Sequence, residues 1–202
     1  MMQSTVTNAA QQQIKGRMIF LMMAIFFIVP IIVVVAMYKY NWKPSGQSRG
    51  ELVQPPRLLA ETASLMDSKG KLQPKFWNEK WNIVFVAEDC QAVCQQKLHD
   101  MRQVYVSTYK DMLRVQRVLI TPQQNVADAQ TKYPDMIVLN QPVSEVMALA
   151  AHFNIANEPA LVANRTYLVD PLGHIMMSYP ADAPAADILK DLKRLLRFSW
   201  AG

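Results

Sequence analysis

The chain lacks the signatures on which most enzyme assignments rest. Its 202 residues include only two cysteines, three histidines and six glycines. There is no glycine-rich phosphate loop and no Gly-x-Ser-x-Gly elbow, so phosphate-cradle and serine-nucleophile chemistry have no motif to stand on. No carboxylate pair stands out from the scattered Asp and Glu, and no internal repeat is visible. The net charge of +5 and pI near 9.2 suggest nucleic acid at first sight. The basic residues are dispersed, however, with no block of like charge and no nucleic-acid motif, so nucleic acid is not an expected partner. One local cluster, Lys190, Lys193, Arg194 and Arg197, falls on an expected amphipathic helix interrupted by Asp187 and Asp191. It reads as a solvated helix face near a membrane, or as a contact for anionic lipid or an acidic partner.

What is present begins with an uncharged run, MIFLMMAIFFIVPIIVVVAMY, over Met18–Tyr38. At about 1.5 Å per residue it spans roughly 30 Å, the thickness of a bilayer core. Pro30 inside it is acceptable in a membrane helix. The run exceeds a signal-peptide core of about 7–15 residues, and no small-x-small cleavage site follows. It reads as an uncleaved anchor, with a cleaved signal as the alternative. Lys15 and Arg17 precede it, while Lys39, Lys43, Arg49 and Arg57 follow it. The positive-inside count therefore does not favour an N-inside topology.

The expected organisation is a polar, disordered tail over 1–17, a transmembrane helix over 18–38, a linker over 39–57 and a folded domain over 58–202. The linker reading rests on Pro44, Gly46, Gly50, Pro55 and Pro56. Tyr38, Tyr40 and Trp42 sit where an interfacial aromatic belt would lie. In the domain, Phe76 and Trp77 precede an apolar strand over 81–87. A helix is expected over 91–113, a strand over 115–121 and another over 135–139. Ser144 is read as the cap of a helix over 145–153. The strands 166–169 and 175–179 form a hairpin around Asp170-Pro171-Leu172-Gly173, and a last helix covers 184–198. This order, a β-α-β unit followed by a hairpin and a terminal helix, is the thioredoxin order: an α/β fold with one N-terminal transmembrane helix.

Cys90 and Cys94 sit where the strand over 81–87 gives way to the next helix. A helix N-terminus carries partial positive charge, which stabilises a thiolate. Asp89 opposes this by like-charge repulsion. The pair can cycle between dithiol and disulfide, bind a soft metal such as Cu(I), or form an inert disulfide. A copper site needs more than two thiolates, and the candidates are His99, His152 and His174. Thirteen methionines raise the question of a methionine site, but Met18, Met22, Met23 and Met37 belong to the apolar run, and Met176 and Met177 fall on opposite faces of a strand.

At Cys90 and Cys94, the hairpin Tyr167–Gly173 and the single anchor, the chain resembles the Sco/SenC family of thioredoxin-like cytochrome c oxidase assembly factors, over about residues 75–198. At Gly50–Pro56, Arg114–Val118 and Leu189–Leu196 it is also similar to a group of bacterial membrane proteins associated with oxidase assembly. The resemblance implies a single-pass protein of the bacterial inner membrane with its C-terminal domain in the periplasm. It implies thiol–disulfide exchange or transient copper handling at Cys90 and Cys94. It also implies an oxidase subunit or another assembly factor as partner, alongside inner-membrane lipid. Two departures matter. The family's first cysteine is followed by proline, where this chain has Gln91. The family's third copper ligand, a histidine, falls on Val162. The competing expectation is therefore a non-catalytic scaffold with a structural or unused cysteine pair.

Overall fold

The computed structural model describes residues 3–40, 48–59, 66–67, 69–70, 77 and 79–198. Trp42, Pro44, Gly46, Phe76 and Trp200 lie outside them. The chain divides into two units, residues 1–47 and 48–202. In the first, helix α1 runs from Gln3 to Lys39 and passes through Pro30 without a break. The polar tail expected over 1–17 is thus helical from Gln3, since extending an existing helix is far easier than nucleating one. The segment Arg17–Lys39 is 23 residues long with a mean hydropathy of 3.2, long and apolar enough to cross a bilayer.

The second unit is built on strands whose two faces are both apolar. Val84 and Val86 point to one side of the central strand β3 (Trp81–Val86), and Ile83 and Phe85 to the other; all six residues of the strand are buried. Such a strand needs helices above and below it. On one side lie α2 (Ala92–Val106) and α6 (Ala185–Phe198), which pack Leu98, Met101, Ile188 and Leu192 against Ile83 and Phe85. On the other lies α4 (Val143–Ala151), with Val146, Leu149 and the following Phe153 against Val84 and Val86. Strands β4 (Val115–Ile120) and β5 (Ile137–Gln141) continue the sheet in parallel with β3. On its other side β3 pairs antiparallel with β6 (Thr166–Val169), which forms the expected hairpin with β7 (His174–Tyr179). Adding β1 (Glu51–Leu58) and β2 (Met66–Asp67), the order across the sheet is β1-β7-β6-β3-β4-β5-β2.

Strand β1 corrects the linker reading of 39–57 and moves the start of the folded unit ahead of Leu58. Pro55 and Pro56 argue against a central strand but not against an edge. Leu52 faces Met177 and Arg57 faces Ile175, so the intervening prolines bulge out of the ladder. The helix expected over 91–113 stops at Val106. Tyr109 has a positive φ of 51°, and a short 3-10 turn over Tyr109–Arg114 leads into β4. Ser144 is not a cap, because α4 starts one residue earlier behind Pro142. The remaining short helices are α3 (Ala127–Lys132) and α5 (Ala160–Ala163), the latter absent from the sequence reading.

Candidate functional site

The parallel strands β3, β4 and β5 all end at one edge of the sheet, and the loops that follow them meet there. The loop after β3 carries Cys90, and the first turn of α2 carries Cys94. The two sulfurs are joined in a disulfide, with Cα atoms 4.8 Å apart. The halves of the pair have different surroundings. Cys94 is 2% exposed and belongs to the core beside Leu98 and Met101, whereas Cys90 is half-buried. The less buried cysteine is the one outside the helix.

The loop is held from both sides. The Cys90 N–H donates to Gln123 Oε1 at 2.7 Å. Gln123 is itself fixed: its N–H donates to Thr121 Oγ1 at 3.2 Å and its Nε2 to the Asn125 carbonyl at 2.8 Å. The Thr121 hydroxyl donates to the Glu88 carbonyl at 3.2 Å, and Asn140 Nδ2 on β5 donates to the Gln123 carbonyl at 3.3 Å. From the other side, the Glu88 N–H donates to the Leu161 carbonyl of α5 at 3.0 Å. Gln95 Nε2, one turn into α2, stands 3.8 Å from Cys90 Sγ. Asp89 receives the Gln91 N–H and side-chain amide, both at 3.3 Å. Gln123, Gln95 and the α5 carbonyl were not predicted. Single glutamines in a loop or on a helix carry no spacing signal, and their role comes from the loops that the topology gathers.

The histidines do not join the cysteines. His99 is exposed on α2, with Nε2 3.5 Å from Gln103 Nε2. His174 opens β7 and its Nδ1 lies 3.0 Å from Asp170 Oδ2 in the hairpin. That hairpin sits beyond Val169, which pairs with Asn82 at the start of β3, so the length of β3 separates it from Cys90. His152 follows α4, and its carbonyl accepts from Arg57 Nη1 at 3.0 Å. Val162, where the Sco resemblance would put a histidine, sits on α5 beside the cysteine loop and is 59% exposed. The backbone thus brings that position to the site, but the side chain has no donor atom. Among the described residues, no group of three or more His, Cys, Asp or Glu side chains gathers to hold a metal. Once reduced, Cys90 and Cys94 would offer a soft metal two thiolates, and Val162 adds no donor atom to them.

An open groove of about 590 Å³ runs between the first turns of α2 and the segment that joins β7 to α6, and neither cysteine lines it. Ala92, Val93, Gln96, Lys97, Asp182 and Pro184 line it.

The shifted ionisations belong to the scaffold. Burial, then the neighbouring Asp191 carboxylate, pushes the Tyr179 phenol well above its usual range; burial does the same to Tyr167. Burial works to lower Arg165, but hydrogen bonds and charge from Glu158 and Glu51 outweigh it and raise the guanidinium. Asp191 is a buried anchor point: its Oδ2 accepts the Arg49 N–H at 2.7 Å, the Gly50 N–H at 2.9 Å and the Tyr179 hydroxyl at 3.1 Å.

A sheet of this order, with a cysteine pair at the junction of β3 and α2, defines a thioredoxin-like protein, and solved structures similar to it include Sco proteins. Arabidopsis thaliana ScoI with copper bound shares 18% identity at a TM-score of 0.55, covering 74% of this chain and 99% of that one. Apo Sco1 from Thermus thermophilus shares 17% at 0.58, covering 76% and 99%. BsSco, described as a Sco-family oxidase assembly protein with a disulfide switch, shares 16% at 0.51, covering 78% and 100%. No curated protein sequence matches the chain. Residues 81–199 match the family "Transmembrane-like, thioredoxin-like, C-terminal domain", and the chain belongs to that family.

Proposed function

We propose that this protein is a membrane-anchored, periplasmic thiol–disulfide factor in cytochrome c oxidase biogenesis, working through Cys90 and Cys94. The observation that carries the reading is the asymmetric disulfide at the mouth of α2, with its reachable sulfur on the loop and its protected sulfur in the helix. Helix α1 is the anchor, and the Sco likeness supplies the oxidase context.

In the exchange, a partner thiolate attacks Cys90 Sγ and the Cys90–Cys94 bond breaks. Cys94 leaves as a thiolate, in the first turn of a helix where the positive end of the dipole favours it. A second partner thiolate then attacks the partner's own sulfur in the mixed disulfide and releases Cys90. Two electrons pass from the partner's dithiol to the cysteine pair, and the partner is left with a disulfide. Run backwards, the same steps reduce a partner disulfide. The groove beside Val93 gives the partner segment a seat next to the loop.

The test is the reduction potential of the full-length protein, measured against glutathione. A cycling pair lies well above the roughly −300 mV below which structural disulfides sit. In the reduced Cys94→Ser variant, Cys90 is left to form a mixed disulfide that nothing resolves, so a partner is trapped. A potential below −300 mV, with no trapped species, replaces this reading by the scaffold alternative with a fixed disulfide. Copper enters as cargo only: the reduced pair offers Cu(I) two thiolates, and the Val162 position removes the third ligand.

A further inference from the structure

We infer that the pole of the folded unit opposite the disulfide is a docking face for anionic phospholipid headgroups. Helices α2 and α6 both start near the disulfide, where their first residues share the groove, and both run away from it. Fifteen residues of α2 carry the chain about 22 Å to the far pole. There the 3-10 turn Tyr109–Arg114 meets the end of α6, and Arg114 Nη1 donates to the Leu196 carbonyl at 3.1 Å.

This pole combines two features that a soluble surface keeps apart. Large apolar side chains stand in the open: Leu113 is 83% exposed, Tyr109 76% and Phe198 72%. Around them is a set of exposed cations. Lys190, Lys193, Arg194 and Arg197 form a stripe along the solvent side of α6, while Ile188, Leu192 and Leu196 fill the core side. Lys110 is exposed beside Tyr109, and Lys193 Nζ lies 5.7 Å from the Tyr109 ring centroid. The acidic groups of these elements are engaged: Asp111 pairs with Arg114, Asp187 with Arg49, and Asp191 holds the Arg49–Gly50 backbone. A cationic patch studded with Leu, Tyr and Phe matches a bilayer surface, where cations meet phosphate and apolar or aromatic side chains enter the headgroup boundary. The occupant is the membrane that α1 supplies. Docking by this pole turns Cys90 away from the lipid and toward other proteins. The inference rests on the anchored reading above but not on the thiol chemistry.

The experiment uses the full chain, with its native cysteines oxidised, in nanodiscs of phosphatidylcholine alone or with about a third phosphatidylglycerol. A polarity-sensitive dye is attached at Leu113→Cys or, in a second protein, at Val162→Cys. The expected result is a blue shift at 113 that requires phosphatidylglycerol, is lost in 0.5 M salt and is lost when Lys190, Lys193, Arg194 and Arg197 are all changed to Gln. The dye at 162 stays in water throughout. No shift at 113, an equal shift in both lipids, or a shift at 162 instead overturns the proposal. A shift produced only by added polyglutamate assigns the face to an acidic protein and overturns it as well. Extraction of the unlabelled chain from membranes by alkaline carbonate reports separately that the anchored reading has failed.

Discussion

On the function proposed above, Val162 is the residue that separates thiol exchange from copper binding. The backbone already holds its position beside the cysteine loop through the bond from the Glu88 N–H to the Leu161 carbonyl. Supplying the donor atom should therefore suffice to rebuild the site. In Val162→His, Cu(I) affinity of the reduced protein, read by competition with a chelator, is expected to rise by more than the roughly 10–100-fold that outer-shell partners of a metal carry. An unchanged affinity would mean that α5 does not aim its side chain at the sulfurs. Arg117 offers a second test at this scale. It is buried in β4 with its guanidinium 5.2 Å from the Tyr105 ring centroid and 5.5 Å from that of Tyr133, and its Nη2 donates to Asp135 at 2.5 Å. Asp135→Asn keeps the shape and removes the charge. The expected loss is about 1 kcal/mol, small for a charged hydrogen bond because Asp135 is half in solvent. Urea denaturation measures it, and a loss of several kcal/mol would mean that the arginine depends on this single partner.

Among the elements, β1 and α6 are tied by Asp191, and the tie leaves no slack. A methyl group on Gly50 would lie 2.6 Å from the Tyr179 ring, which is itself held by Asp191. Gly50→Ala is expected to cost about 1–3 kcal/mol through overpacking. Asp191→Ala is expected to cost about 1–3 kcal/mol for each buried donor it leaves unmet. Thermal melts of the two variants check both, and hydrogen exchange should place the loosening in β1 rather than in β3. The element scale also separates what the sequence reveals from what it hides. Strands β3, β4, β6 and β7 are legible because their apolar runs are long and their turn residues sit where turns require them. Strand β1 is not, because Pro55 and Pro56 imitate a linker and its pairing with β7 depends on residues more than a hundred positions away. The end of α2 is misread because Thr108 and Met112 keep the helical spacing while the backbone breaks at Tyr109. At the site, the cysteine pair is legible from its strand-to-helix placement. Gln123, Asn140 and Leu161 are not, since each acts through a loop brought in by the fold.

For the whole molecule, the buried tyrosines set an alkaline limit. Tyr167 and Tyr179 have folded pKa values above the unfolded value of about 10. The unfolded chain therefore loses these protons first as the pH rises. Their contribution to stability is full below pH 10 and is lost above it, as the pH climbs toward the folded values. The urea midpoint is expected to be insensitive to these groups between pH 7 and 9 and to fall beyond pH 10. Tyr179→Phe, which also leaves Asp191 one donor short, should show a shallower alkaline fall from a lower starting point. An unchanged alkaline slope in that variant would remove Tyr179 from the account.

The Asp191 tie has a consequence for how the protein meets others. Arg49 and Gly50 are fastened to the body of the fold, and in sequence only eight peptide steps, a contour of about 30 Å, lie between Tyr40 and Ser48. On the anchored reading, the thiol pair is confined to the surface of one bilayer. A neighbour anchored in the same bilayer searches for it in two dimensions and meets it far more often than a protein in free solution does. A shallow groove of weak affinity then serves for the encounter, and the exchange partner can leave as readily as it came.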